Sequence, residues 1–155
     1  TTEAVARALS AHSGLMVVTN NMNAAQILAG NPSCEVVLTG GALRRSDGGL
    51  VGDLAVQTIR QFKVDIAVIG ASSLDAQGDL LDFDIQEVRV ARAILEQART
   101  SILVADQGKL KRAAPVRIAS LGALDIWVTD SDPPPALRTR CEVTATEIRV
   151  APPAE

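Results

Sequence analysis

At 155 residues with a formal net charge of −3, the chain is long enough for one domain with a real core but too acidic to neutralise a nucleic-acid backbone by itself. Its apolar residues are Ala, Val, Ile and Leu, with Phe62, Phe83 and Trp127 the only aromatics, which excludes the stacking platforms of single-strand binders. No apolar run approaches the roughly 18 residues a membrane span requires and no secretory signal opens the chain, so a soluble cytoplasmic protein is expected.

The first segment, Thr1-Thr2-Glu3 followed by Ala4, Val5, Ala8 and Leu9, reads as a loop entering a helix with Thr2 at the N-cap. A βα unit needs a strand ahead of such a helix and none precedes it here, so the chain is expected to begin inside a domain whose first strand is not included. Apolar runs then recur at Leu15–Thr19, Glu35–Thr39, Ile66–Gly70, Ser101–Ala105, Ile126–Thr129 and Glu147–Val150, with Val116–Ala119 as one more short strand. Between them lie segments of helical spacing, such as Ile85, Val88, Ala91, Leu95 and Ala98. Strands alternating with helices predict an α/β domain over 1–150, with a mostly parallel, Rossmann-like sheet flanked by helices. A core of β-branched and small residues suits parallel strands buried on both faces.

Two stretches read as long loops: Thr39–Asp53, with five glycines (Gly40, Gly41, Gly48, Gly49 and Gly52), and Ser72–Asp84. Such loops tend to carry function. Polar clusters fall where strands end, at Thr19-Asn20-Asn21, Thr39-Gly40-Gly41, Gly70-Ala71-Ser72 and Asp106-Gln107-Gly108-Lys109, and parallel sheets bind ligands beyond those ends. Pro133-Pro134-Pro135 reads as a rigid connector to a short helix and a last strand, and the tail 151–155 is expected to fray.

Each polar cluster supports a bland and a functional reading. Thr1 and Thr2 open a helix whose free N–H groups suit a phosphate, or Thr2 only caps. Asn20 or Asn21 caps the helix carrying Ala24 and Leu28, and with Asn23 the asparagines exceed what capping needs, which leaves one for a ligand. Thr39-Gly40-Gly41 with Arg44 and Arg45 is a glycine turn followed by fixed positive charge, but it has neither Walker A nor GxGxxG spacing. Asp84 and Glu87 fit a capping box, while Asp82, Asp84 and Glu87 together suit ligand hydroxyls or acid–base work. Asp106 and Lys109 read as a ligand clamp, an isomerase pair or a solvated turn. Cys34 and Cys141 have no CxxC pairing and are expected as free, buried thiols. His12 sits near the end of the first helix, so histidine-based catalytic arrangements lack their histidine.

These residues carry a resemblance. Val17–Asn21, Leu38–Arg44, Gly48–Gly52, Asp65–Gly70, Glu87-Val88-Arg89 with Arg92-Ala93, Val104-Ala105-Asp106 with Lys109, and Asp125–Asp130 follow one another as in the C-terminal effector domain of DeoR-family bacterial repressors, which the chain resembles over nearly its whole length. The resemblance implies a fold similar to ribose-5-phosphate isomerase, glucosamine-6-phosphate deaminase and the CoA transferases, with DNA binding supplied by a winged helix-turn-helix domain ahead of this one and absent here. Arg44–Gly49, Leu80–Asp84 and Thr129–Pro134 are similar to the members that respond to glycerol 3-phosphate, although Gly108 and Leu110 stand where those usually carry Ser and Phe. On that resemblance Thr1, Thr2, Thr39, Gly40, Gly41 and Lys109 hold the phosphate. Asn20, Asp82 and Glu87 bind hydroxyls, Asn21 is a further ligand-binding residue, and Arg44 reaches either end. No catalytic residue, metal or cofactor is implied. The expected protein is a homo-oligomeric, non-enzymatic sensor of a small phosphorylated metabolite, and a sugar-phosphate isomerase on the same fold is the alternative.

Overall fold

The computed structural model describes residues 1–152, and the chain divides into two compact units, Thr1–Phe62 and a second that begins at Lys63. The α/β pattern expected from the sequence is present in both.

In the first unit α1 (Thr2–Leu9) precedes β1 (Leu15–Thr19), α2 (Met22–Ala29) and β2 (Cys34–Leu38). β1 and β2 pair in parallel, Leu15 opposite Cys34 and Thr19 opposite Leu38. Ala6 of α1 and Ala24 of α2 are buried together with Leu28, and Leu9, Val17, Ile27 and Val36 pack around them. Small residues at that contact let the two helices approach closely, which fixes both over the strands. His12 is a C-terminal-turn histidine as expected, its Nδ1 lying 3.2 Å from the Ala8 carbonyl oxygen.

The glycine stretch after β2 is not a plain loop. It contains a hairpin of β3 (Ala42–Leu43) and β4 (Leu50–Val51), paired antiparallel, before α3 (Asp53–Arg60) buries Ala55, Val56 and Ile59. Two-residue strands are too short to show an alternating pattern, so the sequence conceals them. Gly41 has φ +126°, and a Cβ there would lie 2.5 Å from the Val51 carbonyl oxygen, so the hairpin closes only around a glycine.

The second unit holds β5 (Val64–Ile69), β6 (Ser73–Leu74), β7 (Asp79–Asp82), α4 (Ile85–Glu96), β8 (Ala98–Val104), β9 (Val116–Ser120), β10 (Ile126–Thr129), α5 (Pro135–Thr144) and β11 (Glu147–Val150). β11, β10, β8 and β5 form a parallel sheet in that order. β8 starts at Ala98, ahead of the expected Ser101, so Ala98 belongs to the strand and not to α4. β9 does not join the parallel sheet; it pairs antiparallel with β7, which pairs with β6. The stretch Ser72–Asp84 is therefore mostly a hairpin, again of strands too short to read.

The core of this unit gathers Leu80, Val88, Leu103, Leu121, Trp127, Leu137 and Cys141. The Trp127 indole N–H donates to the Ala105 carbonyl at 3.1 Å, which satisfies the one polar atom of an otherwise apolar ring. The proline connector leads into α5, which ends at Ala145 in the left-handed conformation (φ 56°). Cys34 is half-buried and Cys141 buried, both free thiols; burial pushes the Cys141 thiol up, against the opposing charge of Arg138. Ala151 N–H donates to the Thr129 carbonyl at 2.8 Å, so the expected fraying does not begin at Ala151; residues 153–155 of that tail lie outside the described residues. Among the described residues no helix is long and apolar enough to cross a membrane.

Candidate functional site

Because β1 and β2 are parallel, Thr19-Asn20-Asn21 and Thr39-Gly40-Gly41 leave their sheet at the same edge. The first turn of α1 stands at that edge too, since Asn23 Nδ2 at the start of α2 donates to Glu3 Oε1 at 2.9 Å. Thr1, not Thr2, is the N-cap residue of α1, and its side chain makes no capping bond. The first-turn N–H groups of any helix lack intrahelical acceptors, and here no hydroxyl covers them.

Thr39 is 3% exposed, and its Oγ1 has no hydrogen-bond partner among the described residues. Its backbone does not explain this, since the Thr39 N–H donates to the Thr19 carbonyl at 3.0 Å and simply extends the ladder. An unsatisfied buried hydroxyl costs about 1–3 kcal/mol. The glycines that follow keep the backbone beside it bare of side chains.

All three asparagines have structural work. Asn21 caps α2, its side-chain oxygen accepting from Ala24 N–H at 3.0 Å, and its amide donates to the Asp47 carbonyl at 3.0 Å. Asn20 Nδ2 donates to the Leu50 carbonyl at 2.9 Å. Met22 N–H donates to the Gly48 carbonyl at 2.8 Å. Together these bonds stitch the β3–β4 turn onto the start of α2. This stitching is a further role for the asparagines beside capping, hidden from the sequence because the hairpin was hidden. Arg44, half-buried, opens that turn: its N–H donates to the Gly49 carbonyl at 2.7 Å, and its carbonyl accepts from Gly48 N–H at 3.0 Å.

In the second unit the carboxyl ends of β5, β8 and β10 also share an edge. Beyond β8, Asp106 caps the Gln107–Lys111 3-10 turn, accepting from Gly108 N–H at 2.8 Å. Beyond β10, Asp130 accepts from Gln107 N–H at 2.8 Å. Lys109 is half-buried in that turn, and its ammonium has no partner among the described residues. α4 runs directly into β8, which puts its first turn, with Glu87, at the same edge. Asp84 caps α4 as expected, accepting from Gln86 N–H at 2.8 Å.

Asp82, at the end of β7, accepts two bonds on one oxygen: Ser72 Oγ donates to Oδ1 at 3.0 Å and Phe83 N–H at 2.7 Å. Ser72 stood within a strand-end cluster in the sequence, but its partner lies ten residues on, across the unseen β6–β7 hairpin. Thr1, Thr2, Asn20, Asn21, Thr39, Gly40, Gly41 and Arg44 thus belong to the first unit, and Asp82, Glu87 and Lys109 to the second. The first set gathers at the carboxyl edge of the parallel β1–β2 pair; in the second, Lys109 follows the parallel strand β8, while Asp82 ends β7 of the antiparallel β6-β7-β9 sheet. The first set offers helix N–H groups, a hydroxyl and bare backbone, which suit an anion; the second offers carboxylates and an ammonium. No group of three His, Cys, Asp or Glu side chains among the described residues is arranged to hold a metal ion.

A family model described as DeoR C terminal sensor domain matches residues 1–131. Among similar proteins, the glycerol-3-phosphate regulon repressor of Haemophilus influenzae is 47% identical over 133 residues, covering 86% of this chain and 52% of that protein. The glycerol-3-phosphate regulon repressor of Escherichia coli is 44% identical over 134 residues, 86% of this chain and 53% of that protein. The Escherichia coli HTH-type transcriptional repressor CsqR is 36% identical over 148 residues, 96% of this chain and 57% of that protein. The chain therefore spans little more than half the length of these relatives, and on the family match it belongs to the DeoR C-terminal sensor domain family.

Proposed function

We propose that this chain is the effector-sensing domain, over residues 1–150, of a bacterial DNA-binding transcriptional repressor, and that it binds a small phosphorylated polyol or sugar without transforming it. Glycerol 3-phosphate is the first candidate, because two of the similar proteins are named as repressors of the glycerol-3-phosphate regulon. The observation that carries the reading is the buried, unpartnered Thr39 hydroxyl beside Gly40-Gly41 and the uncapped start of α1. A ligand oxygen supplies the bond that Thr39 lacks, and the helix end favours its negative charge. Within the first unit Thr1, Thr2, Thr39, Gly40 and Gly41 are the residues proposed to hold a phosphate, with Asn20 and Asn21 for hydroxyls and Arg44 for charge; within the second, Lys109 is proposed for a phosphate and Asp82 and Glu87 for hydroxyls.

The mixed α/β architecture is read as that of ribose-5-phosphate isomerase, glucosamine-6-phosphate deaminase and the CoA transferases, with the site used for recognition and not for turnover. DNA contact is assigned to a helix-turn-helix domain outside this chain, consistent with the net charge of −3 here. The protein is cytoplasmic and homo-oligomeric in this reading, and ligand binding acts by preferring one of two repressor states. Titration with glycerol 3-phosphate is the test. Ligand at a hundredfold excess over its Kd stabilises a protein by about 2.7 kcal/mol, so a clear rise in Tm is expected, with none from glycerol. Turnover of ribose 5-phosphate at enzymatic rates, or no response to any phosphate ester, overturns the proposal.

A further inference from the structure

A carboxylate that recognises ligand hydroxyls works best when one oxygen is committed to the protein and the other is left to the ligand. Asp82 has that arrangement. Its Oδ1 takes both the Ser72 hydroxyl, at 3.0 Å, and the Phe83 N–H, at 2.7 Å, while Oδ2 has no partner among the described residues. Two donors converging on one oxygen stop the carboxyl group from rotating about its terminal bond, which is otherwise soft.

Ser72 is itself held from both sides. Its N–H donates to the Leu81 carbonyl at 3.0 Å, next to Asp82 in β7. The neighbouring Ser73, fully buried, donates its hydroxyl to the Arg112 carbonyl, just past the 3-10 turn that carries Lys109. The two serines therefore join the loop after β5 to the Asp82 strand on one side and to the lysine-bearing segment on the other.

We infer that Ser72 is a specificity-determining positioning residue: its bond to Asp82 Oδ1 aims Oδ2 at a hydroxyl of the ligand, so that polyol phosphates are preferred over phosphate esters without hydroxyls. The inference rests on the effector reading above, which makes Asp82 a hydroxyl-binding residue. Ser72 touches the carboxylate and not the ligand, so its loss weakens discrimination and leaves phosphate capture in place.

The experiment compares the affinities of glycerol 3-phosphate and n-propyl phosphate, measured by calorimetry on the same sample, for the wild-type chain, Ser72→Ala and Ser72→Thr. A ratio of two affinities is independent of the fraction of folded protein, so modest destabilisation by the substitution does not disturb it. One hydroxyl hydrogen bond to a carboxylate is worth roughly 1.5 kcal/mol net, or about ten-fold in affinity. The wild-type preference for glycerol 3-phosphate should fall by about that factor in Ser72→Ala and return in Ser72→Thr, with propyl phosphate bound equally by all three. An unchanged preference in Ser72→Ala overturns the role of Ser72 alone. A wild type without any preference overturns the hydroxyl-reading site and the inference with it.

Discussion

Asn20 and Leu50 exchange two hydrogen bonds across thirty residues: the Asn20 amide donates to the Leu50 carbonyl at 2.9 Å, and Leu50 N–H donates to the Asn20 carbonyl at 2.6 Å. The pair fastens the returning arm of the β3–β4 hairpin to the carboxyl end of β1. Asn20→Ala leaves the carbonyl of a buried residue without its side-chain donor. The expected cost is about 1–3 kcal/mol, with loosening confined to the hairpin. Native-state hydrogen exchange should show faster exchange at Arg44, Gly48 and Leu50 than in the wild type. Exchange rates there that match the wild type would show that the backbone pairs alone hold the hairpin.

Thr39→Val separates the cost of the buried hydroxyl from its use. The shapes match, and valine removes the unpartnered oxygen, so the unliganded chain should gain up to about 1–3 kcal/mol in chemical denaturation. Glycerol 3-phosphate affinity should fall roughly ten-fold, as for one hydrogen bond to a charged acceptor. A variant that is more stable and binds equally well would remove Thr39 from the site.

Lys109 contributes a charge without a partner in the described chain. Lys109→Ala should leave the unfolding free energy within about 0.5 kcal/mol of the wild type, as at other unpaired positions. Phosphate-ester affinity should drop, and its dependence on salt should flatten, because one screened charge pair is gone. A salt dependence equal to that of the wild type would place the phosphate elsewhere.

The Cys141 thiol is raised by burial, with Arg138 acting in the opposite sense. A folded pKa above the unfolded value means that the native state keeps a proton the unfolded chain gives up. The associated stability is complete below the unfolded thiol value, about 8.5, and is lost as pH rises through the folded one. Denaturation midpoints at pH 7 and pH 10 should therefore differ more for the wild type than for Cys141→Ala, even though the variant starts lower because a buried side chain has been trimmed. Equal differences would show that Cys141 does not couple to folding. Thiol reagents should label the half-buried Cys34 before the buried Cys141.

The parts of the fold legible in the sequence were those whose pattern outlasts a turn. β1, β10 and β11 have the expected ends, and α4 begins after the expected Asp84 cap, because continuous β-branched runs and a capping aspartate each leave a local signature. The two hairpins were not legible. β3, β4 and β6 have two residues each, and their pairing is decided by bonds to distant partners such as Asn20 and Arg112. The polar residues at the strand ends were legible as a group, since parallel strands must end somewhere and these ends are polar. Their individual duties were not: Asn21 turned out to serve both a helix and a turn, and the bond from Ser72 to Asp82 exists only once β7 folds back. Thr39 looked like one threonine among several until its burial without a partner set it apart.

Trp127 is the chain's one tryptophan, there is no tyrosine, and its indole is sealed in the second unit. Intrinsic fluorescence is consequently a private signal of that unit, blue-shifted and shielded from aqueous quenchers while the core is intact. Residues before Lys63 hold no tryptophan or tyrosine of their own to report their melting or ligand capture by emission. A direct reporter for Thr39 and its neighbours has to be introduced into that unit, with the half-buried Cys34 as a ready attachment point.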